Sequence, residues 1–366
     1  MNPDVLIIGG GAIGLSLAYE LSGRGTRVQV VDRGLPGQES SWAGAGIIPA
    51  AGSGPFPHPY DQLTSLSHAL HGRWSSQLLE ETGIDNGFRR CGGLYLARRH
   101  AEAEHLAAVA RQWSAQGLKV ELLSSQELAE HEPQLAPPLG ALRVPDESQL
   151  RNPRHVRALA VACERRGVTI SPGVEVGDFI TSGTRITGVR TADEVLSAGQ
   201  VVICGGAWSR LIAARLGVSI AVKPIRGQIV LLDRGSMPLR HVVNEGPRYL
   251  VPREDGRLLV GSTEEDVGFE KQNTSEGVRG LLDFAIELVP GLSTARIERT
   301  WSGLRPGTAD GLPYLGQTPG IDNLYVAAGH FRAGLTLSCI TAVVISRLMR
   351  GEPPEVDLSP FRVDRT

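Results

Sequence analysis

Lysine is nearly absent from this 366-residue chain: of 37 basic residues only Lys119, Lys223 and Lys271 are lysines, leaving 34 arginines. Genome base composition accounts for that bias without a functional reading. Neither sign of charge dominates, since the net charge is -2 and the pI is near 6.5. Nothing electrostatic therefore points to nucleic acid or an anionic membrane as partner. Cysteine is also sparse, and Cys91, Cys163, Cys204 and Cys339 are too scattered for a metal cluster or a C-x-x-C pair. No metal site and no disulfide-type electron transfer are expected. Apolar runs stay well short of the roughly 18 residues a membrane helix needs. The first residues pass straight into an apolar strand, with no basic leader or cleavage site. A soluble, cytoplasmic protein without integral membrane association is expected. Internal repeats and low-complexity segments are absent too.

What the chain does have is glycine, and its arrangement near the amino terminus is informative. The apolar run Val5-Leu6-Ile7-Ile8 feeds into Gly9-Gly10-Gly11-Ala12-Ile13-Gly14 and then a helical stretch from Leu15 to Leu21. Gly9, Gly11 and Gly14 have the G-x-G-x-x-G spacing. That spacing gives a tight turn, lets a pyrophosphate approach the backbone, and packs a helix closely on a strand. The phosphate belongs at the helix amino end, where free N–H groups and the helix dipole favour negative charge. A second apolar strand, Val28 to Val31, ends in Asp32, placed to accept from a ribose 2′-hydroxyl and to disfavour a 2′-phosphate. The unit predicts an α/β, Rossmann-type dinucleotide domain.

At this length two domains, or one with a large insertion, are expected. The Gly/Ser/Ala-rich stretch Ser40 to Gly46 lets a bulky ligand lie against the backbone. Tyr60–Thr82 reads as a helix, Gly92–Leu96 as a strand, and 101–135 as an inserted helical lobe broken by Pro137-Pro138. The α/β pattern returns with a helix from Arg154 to Arg166. A strand at Val168–Ile170 follows, then a hairpin near Gly183. The strand Val201–Ile203 closes on Cys204-Gly205-Gly206-Ala207-Trp208, a second glycine turn able to face the same ligand. Gln228–Leu232, Arg248–Pro252 and Leu258–Gly261 read as antiparallel strands, and 275–289 as an amphipathic helix. The strand Leu324–Ala328 runs into Gly329-His330-Phe331-Arg332-Ala333-Gly334, which opens a last helix through Leu335 to Met349.

These pieces together resemble the FAD-dependent amine oxidases of the D-amino acid oxidase and sarcosine oxidase type, and most of all the glycine oxidases. The likeness runs nearly end to end. It rests on the fingerprint with Asp32, the Ser40–Gly46 loop, the Cys204–Ser209 turn, Tyr249 before Leu250-Val251-Pro252-Arg253, the Gly303–Thr308 segment and the Gly329–Gly334 close. The resemblance implies FAD in place of NAD. It implies an FAD-binding domain from 1–84, 150–219 and 300–366, and an antiparallel-sheet substrate domain from 85–149 and 220–299. Its cofactor contacts fall on Gly9, Gly11, Ala12, Ile13, Gly14, Asp32, Arg33, Ser40, Ser41, Ala45, Gly46, Val174, Gly205, Gly206, Trp208, Gly329, His330, Arg332, Ala333, Gly334 and Leu335.

Among catalytic residues, Arg305 matches the arginine that clamps the substrate carboxylate, Tyr249 the tyrosine that assists it, and Arg332 a second active-site arginine near the flavin. A guanidinium fork suits the clamp, because it gives two charge-assisted bonds in a fixed orientation. Glu264, a substrate-pocket candidate, stands where the resemblance implies a methionine in glycine oxidases; a carboxylate there either binds a cationic amine and alters substrate preference or points away. Gly303–Gly316 contains no cysteine, which implies non-covalent FAD. The last helix is expected to aim its positive end at the flavin.

The implied reaction is oxidation of glycine, sarcosine or a small D-amino acid to an imine that hydrolyses to oxo acid and ammonia. Oxygen is expected as electron acceptor, giving hydrogen peroxide. Glycine's imine can feed thiamine thiazole synthesis, and a homo-oligomer is expected. The alternatives are an N-methyl or D-amino acid dehydrogenase of D-proline type that does not use oxygen, a non-catalytic flavin-binding subunit of a sarcosine-type oxidase complex, and an NAD-dependent dehydrogenase.

Overall fold

The computed structural model describes residues 2–365. Its α/β framework is a six-stranded sheet in which Val5–Ile8 lies between Val28–Asp32 and Gln200–Ile203, all parallel. Thr169–Pro172 extends the parallel part at one edge. At the other, Leu324–Ala328 pairs parallel and Tyr314–Gln317 antiparallel. Val5–Ile8 is buried throughout because both faces are covered, as a central parallel strand requires. Val5 and Ile7 point to one side, onto the helices Ala12–Ser22, Asn152–Arg165 and Ser338–Met349. Leu6 and Ile8 point to the other, onto the small sheet of Asp178–Ser182 and Arg185–Arg190.

A second sheet of eight strands carries the rest of the fold. It begins at one edge with the long antiparallel pair Arg296–Gly307 and Lys223–Asp233, followed by Arg257–Gly261, Arg248–Pro252 and Val242–Glu245. The sheet is mixed and not wholly antiparallel as expected, because Val242–Glu245 pairs in parallel with Gly93–Ala97. Those strands come from separate parts of the chain, so no hairpin forces them to oppose. One face packs Val230, Leu232, Leu250, Leu258 and Val260 against Leu281, Phe284, Ala285 and Leu288. These four recur at helical spacing on Ser275–Leu288, whose first turn is capped by Thr274.

Two other sequence expectations change. The region 101–135 is not continuous helix: His100–Ala115 and Ser125–His131 flank the strand Glu121–Ser124, and Ser124 caps the second helix with Glu127 in a capping box. The last helix starts at Ser338 and not at Leu335. Phe331, at φ 47°, interrupts right-handed helix, and Phe331–Ala333 forms a separate short turn. The domain boundary expected at 299/300 falls inside Arg296–Gly307, all of which belongs to the eight-stranded sheet. Among the described residues no helix is long and apolar enough to cross a membrane.

Candidate active site

A cavity of about 690 Å³ runs from the ends of the parallel strands to the face of the eight-stranded sheet opposite Ser275–Leu288. At the strand end, Gly9 has φ 112°, and a Cβ there would lie 2.4 Å from the Cys204 carbonyl oxygen. This position joins the two glycine turns in space. A Cβ on Gly14 would sit 1.9 Å from the Gly9 carbonyl oxygen, so that glycine holds helix against strand. Gly14 does this packing and does not line the cavity. The helix Ala12–Ser22 has at its N-cap Gly11, which carries no side chain, and no acid in its first turn, which suits an anion. Ser41 accepts from the Ala12 amide at 2.8 Å and brings the Ser40–Ala43 turn over that end.

Asp32 accepts from the Gly10 and Gly34 amides at 2.8 and 2.9 Å and still faces the cavity. Arg33 lies 3.7 Å over the Trp208 ring, and both line the same region with Val174, Gly205 and Gly206. Asn152 also lines the cavity; its Nδ2 donates to the Ser41 carbonyl, while its buried Oδ1 has no partner among the described residues. A glycine cradle, a helix start with no acid in its first turn, a carboxylate at the cavity wall and an orphaned acceptor fit a flavin dinucleotide. Ile13, Ser40, Ala45, Gly46, Gly329, His330, Ala333, Gly334 and Leu335 complete the expected cofactor set, and all line the cavity. Burial pulls the His330 imidazole down to about 3, so the ring is neutral, with Nε2 3.0 Å from Thr341 Oγ1.

The sheet end is built from residues in register. Tyr249 pairs with Gly261 on one side and Asn244 on the other, and Asn244 pairs with Tyr95. Tyr249, Asn244 and Tyr95 line the cavity from three neighbouring strands. Gly261 makes room for the Tyr249 ring, because a Cβ would lie 2.5 Å from it. Gly227 does the same for Arg305, whose guanidinium passes 2.2 Å from that Cβ position. Arg305 Nη1 donates to the Thr263 carbonyl at 3.1 Å and Nη2 to Ser262 Oγ at 2.6 Å. Burial lowers the Arg305 pKa, opposed by the neighbouring Tyr249 hydroxyl; a guanidinium stays charged even so.

Arg332 is also at the cavity wall, donating to the Pro247 carbonyl at 2.9 Å and lying 3.4 Å from Glu264. Glu264 itself is exposed and does not line the cavity. The turn after Gly261 explains this: Ser262 and Thr263 face Arg305, and Glu265 turns back to Arg226 and Gln228. The candidate pocket carboxylate therefore points away from the cavity and faces Arg332 at the rim. The helical dipole expected at Gly329 is replaced by the short turn Phe331–Ala333.

Neither Lys223 nor Lys271 lines the cavity; they bond Asp266 at 2.6 Å and Glu39 at 2.7 Å. Among the cysteines only Cys204 reaches it, and burial pushes that thiol up to about 12. Tyr95, Trp113, Asn152 and Asn244 are wall residues that the sequence reading missed. Tyr95 had a signal, since it alternates with Leu94 and Leu96 in a recognised strand; Asn244 had none.

This arrangement defines the class of protein. The profile of the FAD dependent oxidoreductase family matches residues 4–348, and the chain belongs to that family. FAD is its cofactor. Within the family it is 35% identical over 367 residues to a glycine oxidase of Pseudomonas putida, covering 99% of this chain and 98% of that one. The crystal structure of glycine oxidase from Geobacillus kaustophilus superposes with a TM-score of 0.95 at 35% identity, covering 100% and 99% of the two chains. A bifunctional ThiO/ThiG protein of Synechocystis is 35% identical across 94% of this chain, which spans 51% of it.

Proposed function

We propose that this protein oxidises glycine and other small amines or amino acids, sarcosine and small D-amino acids among them. The products are the imine, then oxo acid and ammonia by hydrolysis, with hydrogen peroxide from oxygen. The observation that carries the reading is Arg305: a partly buried, charged guanidinium at the cavity wall, beside Tyr249, with donors left for a carboxylate. Arg305 and Tyr249 hold the substrate carboxylate, and Arg332 adds positive charge at the rim. When bound, FAD supplies the acceptor for the hydride leaving the substrate's α-carbon. The protein's part is to fix that carbon in near-attack geometry and to exclude water. Fingerprint, Asp32 and second glycine turn hold the dinucleotide without a covalent bond.

The FAD-binding part comprises 1–84, 150–219 and 308–366 and the substrate part 85–149 and 220–307, the last boundary moved to keep Arg296–Gly307 whole. We assign the imine to thiamine thiazole synthesis, which the likeness to a ThiO/ThiG protein supports. The protein works in the cytoplasm as a homo-oligomer. The test of the oxidase reading is oxygen uptake with peroxide formation on adding glycine, sarcosine or D-alanine. Amine-dependent dye reduction without oxygen uptake would favour the dehydrogenase alternative.

A further inference from the structure

Behind the wall formed by Tyr95 and Asn244 lies Glu147, fully buried. The Tyr95 hydroxyl donates to its Oε2 at 2.6 Å and Asn244 Nδ2 to its Oε1 at 3.2 Å. Edge-to-face contact with Trp113, centroids 5.5 Å apart, holds the Tyr95 ring. An ionised carboxylate only accepts hydrogen bonds. It therefore accepts a hydrogen bond from the Tyr95 hydroxyl and turns the Asn244 NH₂ toward itself. The Tyr95 oxygen lone pair and the Asn244 carbonyl are left for other partners, and both residues line the cavity. Asn244 is one strand spacing, about 5 Å, from Tyr249. A small amino acid held by Arg305 and Tyr249 therefore lies beside this wall, which shares their cavity.

We propose that Glu147 is a positioning residue that sets the hydrogen-bonding polarity of this wall, making Tyr95 and Asn244 acceptors for the substrate's amino group. The inference rests on the amine-oxidising reading above. Protonated Glu147 reverses the polarity, because its O–H donates and a wall residue must turn to accept. Burial raises the Glu147 carboxyl to about 7, so the reversal falls in a usable pH range. The titratable groups facing it are Tyr95 and Cys91, both raised above their ordinary values mainly by burial, so neither titrates there.

The test compares glycine with acetate, a carboxylate that lacks the amine, in the flavin-loaded protein. Acetate binding is read by perturbation of the flavin spectrum and glycine affinity by anaerobic flavin reduction. Glu147→Gln is expected to weaken glycine about tenfold, the effect of one buried hydrogen bond, and to leave acetate within about twofold. KM changes more than kcat, and the rise of kcat/KM through about pH 7 is lost. Tyr95→Phe should reproduce the selectivity. Parallel weakening of both ligands, or no change in either, overturns the proposal and leaves the amine reading standing. Wild-type protein that binds acetate but oxidises no amine overturns both.

Discussion

Replacing Arg305 by alanine tests the site where its geometry is most definite. The guanidinium is aimed by the Ser262 hydroxyl and Thr263 carbonyl, and Gly227 leaves the space it crosses. A carboxylate bound to it gains two charge-assisted hydrogen bonds of roughly 1.5–3 kcal/mol each. Tyr249 and Arg332 remain in the variant and offset part of that loss. The expected result is a fall in kcat/KM of about 100-fold, equivalent to roughly 2.8 kcal/mol, carried mainly by KM. Flavin absorbance should be unchanged, because Arg305 lies at the sheet end of the cavity. Gly227→Ala provides a second approach without removing a charge. Its Cβ would lie 2.2 Å from Arg305 Nη2, so the guanidinium must move, and a loss of about tenfold is expected. The assay is steady-state kinetics with glycine, with the visible spectrum measured on the same samples. Less than threefold change in both variants would refute the carboxylate clamp.

Other perturbations address other parts of the account. Gly14→Ala forces the helix Ala12–Ser22 off the Gly9 backbone, and the purified variant should lose its visible flavin absorbance. Releasing Arg332 by Glu264→Met should shift relative rates toward amino acids with an acidic side chain; unaltered rates for glycine, sarcosine, D-alanine and D-aspartate would dismiss that role. Glu147→Gln should stabilise the fold at pH 8 but not at pH 4. The folded carboxyl titrates near 7 against 4.5 for the free group, so ionising it costs stability progressively above pH 4.5, reaching about 3 kcal/mol above pH 7. Thermal melts at the two pH values measure it, and an equal effect at both would count against a buried, titrating Glu147.

Local signals were legible in the chain. The strand Val5–Ile8, the glycine spacing and Asp32 lie within one short unit, and their roles depend on neighbours a few residues away. Arg305 and Tyr249 came from resemblance and face the cavity together. The wall of Tyr95 and Asn244 was not legible, because it depends on a parallel pairing between segments about 150 residues apart. Glu147 looks like any acid in a turn until that pairing encloses it. Glu264 was ambiguous for the opposite reason: its position matched a pocket residue, but backbone direction after Gly261 decides where its side chain goes. The last helix was read as starting early because a left-handed Phe331 leaves no mark in composition.

The central claim is that this cavity joins a flavin to a carboxylate-bearing amine. The most direct measurement is the visible spectrum of the purified protein before and after glycine, sarcosine, D-alanine or D-proline is added without oxygen. The account predicts a flavin spectrum that glycine bleaches. A flavin band that none of these amines bleaches would contradict it.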